Sequence, residues 1–208
     1  MDNSRVQPGS TGEALVELIL ASSSPYRRKL LERLGVSFVQ HDPSVDETPI
    51  SGESAEALVE RLAIAKARAA ATLYPQSLII ASDQVCVLGD SILGKPGTHT
   101  RAVQQLEGAS GREVLFLTGL CVLNASASTV QSAVVPYRVH FRVLSHEQIE
   151  TYLRRERPYD CTGSFRSEGL GVALVERQEG EDPNALVGLP LIRLVDMLTA
   201  EGLDVLRL

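Results

Sequence analysis

The chain has no tryptophan, and four Phe and five Tyr are all its large aromatics. That leaves few platforms for stacking a run of bases, which disfavours an oligonucleotide-binding surface. Positive charge is also short: 20 Lys and Arg stand against 26 Asp and Glu, a net charge of −6. A chain of that sign has no overall attraction for a nucleic-acid backbone, so any anion site must be a local cluster of Lys and Arg. The only cysteines are Cys86, Cys121 and Cys161, far apart and without CxxC or Cys/His metal spacing. Three scattered thiols argue for reduced cysteines in a cytoplasmic protein. No stretch approaches the ~20 apolar residues of a membrane span, and the polar start Met1 to Gly12 lacks the apolar run of a signal peptide. His41, His99, His140 and His146 share no spacing, so surface or packed roles fit them better than metal ligation or base catalysis.

What is present is an ordinary globular composition, 44% hydrophobic and 22% charged over 208 residues. That suits one large domain, or two lobes around one sheet. Residues 1–17 are expected to form a flexible extension, and 18–208 the folded domain. A short apolar run ending at Ala21 reads as a strand. Ser24 caps a following helix with Pro25 in its first turn, and Gly35 stops it. Val36 to Val39 reads as a second strand, followed by a polar loop holding Asp46 and Glu47. Ala55 to Leu73 has helical periodicity and is ended by Tyr74-Pro75. Leu78 to Ala81 reads as a short strand running into Ser82-Asp83-Gln84, and Val85 to Leu88 resumes it. Gly89-Asp90 then reads as a hairpin turn. Arg101 to Leu106 suits a helix, the apolar stretches 113–123 and 130–143 two long strands, and 146–155 a helix capped by Ser145. A short element at Leu170 to Val175 and a helix near 189–201 complete an α/β pattern with a mixed sheet flanked by helices.

Four constellations carry chemistry. Ser22, Ser24, Arg27 and Arg28 lie on the first strand-to-helix turn, where hydroxyls, helix N–H groups and guanidiniums suit a polyphosphate. The same residues also describe an N-capped surface helix. Asp83 at the expected end of a strand, followed by Lys95 in Gly94-Lys95-Pro96, suits a metal- or water-orienting carboxylate beside a phosphate cation; a turn-capping Asp is the plainer reading. Glu47 with Lys66 is a weaker pair, although Lys66 sits among small apolar residues that favour partial burial. The stretch 163–171, with Phe165, Glu168 and three glycines, suggests backbone close to a ligand.

In this order the pieces LASSSPYRR (20–28), VDE (45–47), LAIAKA (62–67), ASDQV (81–85), GKP (94–96), TGL (118–120), GSFRSEGLG (163–171) and VGLPL (187–191) resemble the Maf family of nucleotide pyrophosphatases. The resemblance implies an elongated mixed sheet with two lobes and an interlobe cleft, of Maf/ITPase-like type, commonly as a homodimer. It implies a hydrolase (nucleoside triphosphate diphosphatase) that uses a divalent cation, Mg²⁺, Mn²⁺ or Co²⁺. The reaction attacks the α-phosphate of a nucleoside triphosphate and gives monophosphate and pyrophosphate. Asp83, Lys66 and Lys95 would be catalytic, Ser22, Ser24, Arg27 and Arg28 would bind phosphate, and Glu47 and Asp83 would hold the metal.

Three positions separate subgroups of this family, and here they read Tyr26, Gln84 and Glu168. An aromatic, a Gln and a Glu are similar to the bacterial (YceF-like) subgroup acting on 7-methyl-GTP, whereas the pyrimidine subgroup has Arg, Thr and Gln. The chemistry agrees, because a carboxylate accepts both N1–H and N2–H₂ of guanine. Methylation at N7 makes the ring cationic, which suits the face of Tyr26. Hydrolysis of pyrimidine or other modified nucleotides is an alternative, as is a nucleotide-binding regulator of cell division. Neither nucleic acid nor membrane is expected as a partner.

Overall fold

Strand β1 (Leu18–Ala21) is four consecutive buried apolar residues, and such a strand needs cover on both faces. The computed structural model, which describes residues 17–207, supplies it with α1 (Pro25–Glu32) on one side and α2 (Ala55–Ala71) on the other. The elements continue as β2 (Val39–His41), β3 (Leu78–Leu88), β4 (Ser91–Leu93), α3 (His99–Ala109), β5 (Glu113–Asn124), β6 (Thr129–Phe141), α4 (His146–Glu156), β7 (Val175–Glu179) and α5 (Leu191–Ala200). One seven-stranded sheet runs β2-β1-β3-β5-β6-β7, with β4 paired to β3. Strands β2, β1 and β3 are parallel neighbours, and every other pairing is antiparallel. The mixed α/β architecture expected from the sequence is therefore present. All but the last residue of the expected extension 1–17 lies outside the described residues.

Period-two alternation along β3 assigns its side chains to two cores. Leu78 and Ile80 pack with Leu30, Leu31, Leu194 and Leu198 of α1 and α5. Ile79 and Ala81 meet Ala63, Ala67 and Ala70 of α2. Each such buried Leu or Ile contributes about 1.5–3 kcal/mol. Further along the sheet, Phe116, Val139 and Phe141 pack with Leu106, Ile149, Leu153 and Phe165 in a separate core under α3 and α4. These two ends of one sheet are the two lobes, and α2 approaches the sheet where they join. Its approach is very close: a Cβ on Gly119 would lie 2.2 Å from the Val59 carbonyl oxygen, so only glycine fits that position of β5.

The structure moves three expected boundaries. The second strand is Val39–His41, not Val36–Val39, because parallel pairing with Ile19–Ala21 sets its register and Val36 is drawn into the α1/α5 core. Ser82-Asp83-Gln84 does not end a strand; β3 is continuous through it, held by pairs Ser82↔Leu120, Asp83↔Gly119 and Gln84↔Thr118 on β5. The element expected at Leu170–Val175 divides into a 3₁₀ turn (Leu170–Leu174) and the start of β7. Ser24 and Ser145 cap α1 and α4 as expected, Ser145 with Gln148 as a full capping box, and Ser54 and Thr98 cap α2 and α3 as well. No helix among the described residues is long and apolar enough to cross a membrane.

Candidate active site

The site begins as a gap in the edge of β3. Strand β5 pairs with β3 from Leu78 to Val87, so β1 and β4 must share the opposite edge. Strand β1 leaves it at Ala21↔Ala81, and β4 joins it only at Cys86↔Leu93. Residues 82–85 face no strand there, and a cavity of about 830 Å³ opens on them. Its walls are the 22–27 turn, the 42–49 loop, α2, the loop after β4, the 160–168 segment and Leu186-Val187. Every site residue expected from the sequence lines this cavity except Arg28.

Asp83, on the α2 face of β3, and Lys66, on α2, are each 7% exposed. The Lys66 ammonium donates to Asp83 Oδ1 at 2.6 Å and lies 2.5 Å from Glu47 Oε1. A buried ammonium is tolerated because two carboxylates share it. Burial raises the Glu47 carboxyl, but the Lys66 hydrogen bond and the charges of Lys66, Lys95 and Arg27 outweigh it and hold Glu47 below the ordinary carboxylate value. Glu47 keeps 59% of its side chain in contact with solvent, so it is the open member of the trio. Gly119, which pairs with Asp83 across β3 and β5, leaves room for α2 to lie close to the sheet at Val59, two turns before Lys66 on the same helix.

Arg27 completes the cationic end. Its Nε donates to the Gly188 carbonyl at 2.8 Å and its Nη1 to Ser22 Oγ at 3.4 Å. Burial lowers its pKa, opposed by the charges of Asp83 and Glu47; a guanidinium stays protonated regardless. Lys95 is exposed at the cavity wall. The helix start itself contributes less than expected. Pro25 has no N–H, and those of Ser24, Arg27 and Arg28 are taken by Ser22 Oγ, Ser24 Oγ and the Ser24 carbonyl. Recognition of an anion here falls to side chains together with the Ser23 and Tyr26 N–H groups, which have no acceptor among the described residues. Arg28 is the departure from the expected phosphate set: one residue on from Arg27 is about 100° around the helix, and its Nε meets Glu32 at 2.9 Å outside the cavity.

Alternation also separates Asp83 from Gln84. The Gln84 Nε2 donates to Thr118 Oγ1 at 3.0 Å and to the carbonyls of Ala185 and Leu186 at 2.8 and 3.2 Å. Ser82 Oγ donates to the Gly188 carbonyl at 2.8 Å. Gln84 therefore braces the 183–188 turn with its amide nitrogen while lining the cavity. Sequence reading missed this bracing, since carbonyl acceptors carry no side-chain signature.

At the other end stand Tyr26 and Glu168. The Tyr26 hydroxyl donates to Asp160 Oδ2 at 3.4 Å and receives the Cys161 thiol at 3.6 Å. Burial, the Cys161 hydrogen bond and nearby negative charge push the phenol well above its ordinary value. Burial likewise pushes the Cys161 thiol up to about 12, so it is no nucleophile at neutral pH. Glu168 is exposed, with Ser167 Oγ donating to it at 3.0 Å. Asp160 also lines this end, and nothing in its sequence context signalled it. Arg166 lies over the Tyr26 ring at 5.6 Å from the centroid.

Among the described residues no three His, Cys, Asp or Glu side chains gather as a ready metal cage. Glu47 and Asp83 are hard oxygen donors meeting one ammonium, which fits an ion that Mg²⁺-type sites bind through one or two carboxylates and substrate phosphates.

A Pseudomonas aeruginosa protein named 7-methyl-GTP pyrophosphatase is 58% identical over 189 residues, covering 91% of this chain and 98% of its own. Proteins of the same name from Nitrosococcus oceani and Pseudomonas fluorescens are 56% and 54% identical, over 91% and 92% of this chain and 95% and 100% of theirs. Among solved structures, the Staphylococcus aureus Ham1 protein aligns over 60% of this chain and 71% of its own, with TM-score 0.40 and 14% identity. The family model described as Maf-like protein matches residues 17–201, and on this match and these relatives the chain belongs to the Maf family.

Proposed function

We propose that this chain hydrolyses the α–β phosphoanhydride of a nucleoside triphosphate, giving the monophosphate and pyrophosphate, with 7-methyl-GTP as its substrate. One observation carries the reading: a single cavity is lined by Arg27, Lys66, Lys95, Asp83 and Glu47, whose charges meet around Glu47, and by Tyr26 and Glu168, which gather around Cys161. The relatives named for 7-methyl-GTP support it.

In this reading the triphosphate lies at the cationic end, where Arg27, Lys66 and Lys95 neutralise charge building on the departing pyrophosphate. Lys66 binds only Oδ1 of Asp83, which leaves Oδ2 to orient the attacking water and take its proton as the bond to the β-phosphate breaks. A bound divalent cation, Mg²⁺, Mn²⁺ or Co²⁺, held by Glu47 and Asp83 would polarise the phosphate oxygens. Tyr26 supplies a ring face to the base, and Glu168 accepts guanine N1–H and N2–H₂. The reading extends to a homodimer in the cytoplasm, with the domain spanning residues 18–208.

The test is pyrophosphate release from 7-methyl-GTP, GTP, UTP and dTTP, with and without Mg²⁺ or Mn²⁺. The expected outcome is metal-dependent release, fastest from 7-methyl-GTP. Release of orthophosphate instead, or a preference for UTP and dTTP, would sink the assignment.

A further inference from the structure

Arg166 stands just outside the cavity, yet it covers a face of a residue that lines it. Its Cζ is 5.6 Å from the Tyr26 ring centroid. Its backbone N donates to Tyr152 Oη at 2.9 Å, and Tyr152 is itself buried, so the segment is fixed. A Cβ on Gly171 would lie 2.2 Å from the Arg166 carbonyl oxygen, which pins the backbone from the other side. The guanidinium charge is only partly met. Nη1 lies 3.3 Å from Glu156 Oε2, while Glu156 Oε1 already accepts from Leu170 N at 2.8 Å. The Nε is buried and has no hydrogen-bond partner among the described residues.

A cation on one face of an aromatic ring draws on the same quadrupole that a cation on the other face would use. It also repels that second cation directly through a poorly screening ring. We infer that Arg166 is a specificity-tuning residue. By loading one face of Tyr26 it weakens the ring's preference for a positively charged base, and so limits discrimination between 7-methylguanine and neutral guanine nucleotides. It acts through Tyr26 and touches no reacting atom. Asp160 and Glu168, both lining the cavity, pull the other way, and the selectivity is the balance. The inference rests on the nucleotide reading above.

The experiment measures kcat/KM for 7-methyl-GTP and GTP with the intact chain and its Arg166→Met, Arg166→Gln and Arg166→Lys variants. The ratio of the two substrates on one preparation is independent of the fraction that folds. Arg166→Met raises the preference for 7-methyl-GTP over GTP about two- to fivefold, chiefly by tighter binding of the methylated nucleotide, seen as a lower KM. Arg166→Gln, which keeps a donor for Glu156, does the same, and Arg166→Lys, which keeps the charge, restores a ratio within about twofold of the parent. A ratio unchanged or lowered in both uncharged variants overturns the inference, since a purely structural role would slow both substrates alike. Failure of the parent chain to hydrolyse either guanine nucleotide would instead overturn the function itself, and this inference with it.

Discussion

The two ends of the cavity are built on different principles. The end proposed for the phosphates takes its central charges from regular structure, with Asp83 from the middle of β3, Lys66 from α2 and Arg27 from the first turn of α1 engaged at 2.5–3.4 Å, while Glu47 and Lys95 reach it from loops. The end proposed for the base combines Glu168, exposed on an irregular stretch, with Tyr26 from the first turn of α1, held by a long 3.4 Å hydrogen bond and a cation over its ring. Chemistry common to all nucleotides needs fixed charges, and strands and helices fix them. A base varies between substrates, and a loop-built wall can change its readout without disturbing the sheet.

The sharpest way to break this comparison is at Asp83. Asp83→Asn keeps the shape but removes a proton acceptor and half the partnership that holds Lys66, so kcat should fall about 10²–10⁴-fold. A thermal melt should show the fold retained, and substantial turnover with Mg²⁺ or Mn²⁺ would remove Asp83 from the mechanism.

The base end should respond more softly and selectively. Glu168→Gln leaves one acceptor where guanine presents two donors, at about 1–3 kcal/mol, so kcat/KM for 7-methyl-GTP drops roughly 5- to 150-fold. Activity on UTP or dTTP should gain relative to it. An unchanged substrate ranking would show that Glu168 does not read the base.

Rigidity at the phosphate end can be tested without touching a charge. Gly119→Ala drives a methyl group toward the Val59 carbonyl of α2, which should destabilise the fold by about 1–3 kcal/mol in urea titration. The variant that remains folded should lose kcat more than it raises KM for any nucleotide, because Lys66 is displaced from Asp83. A fully stable, fully active Gly119→Ala would mean that α2 has slack the packing does not suggest.

Much of this was legible beforehand, and the failures have a common cause. Ser24 and Ser145 announced their helices because a cap is a contact between residues three apart. The grouping of Ser22, Arg27, Lys66, Asp83, Lys95 and Glu168 came from motif order, and all of them line one cavity. Arg28 was misplaced because a motif read along the chain ignores helical phase, which turns it away from its neighbour toward Glu32. Gln84 was read only as a base-specificity residue because the carbonyls of Ala185 and Leu186 that hold its amide are invisible in a string of side-chain letters.

The sequence by itself determined the α/β pattern, the helix starts and the inventory of charges suited to a nucleotide, since these rest on local contacts and residue chemistry. Only the tertiary structure decided where the site lies. The gap at residues 82–85 exists because β1 leaves the edge of β3 before β4 joins it, a fact of register between segments far apart in the chain. The Gly119 notch that admits α2 and the guanidinium lying over Tyr26 likewise join residues many positions apart. Such contacts depend on how closed loops bring surfaces together, and no local pattern encodes them.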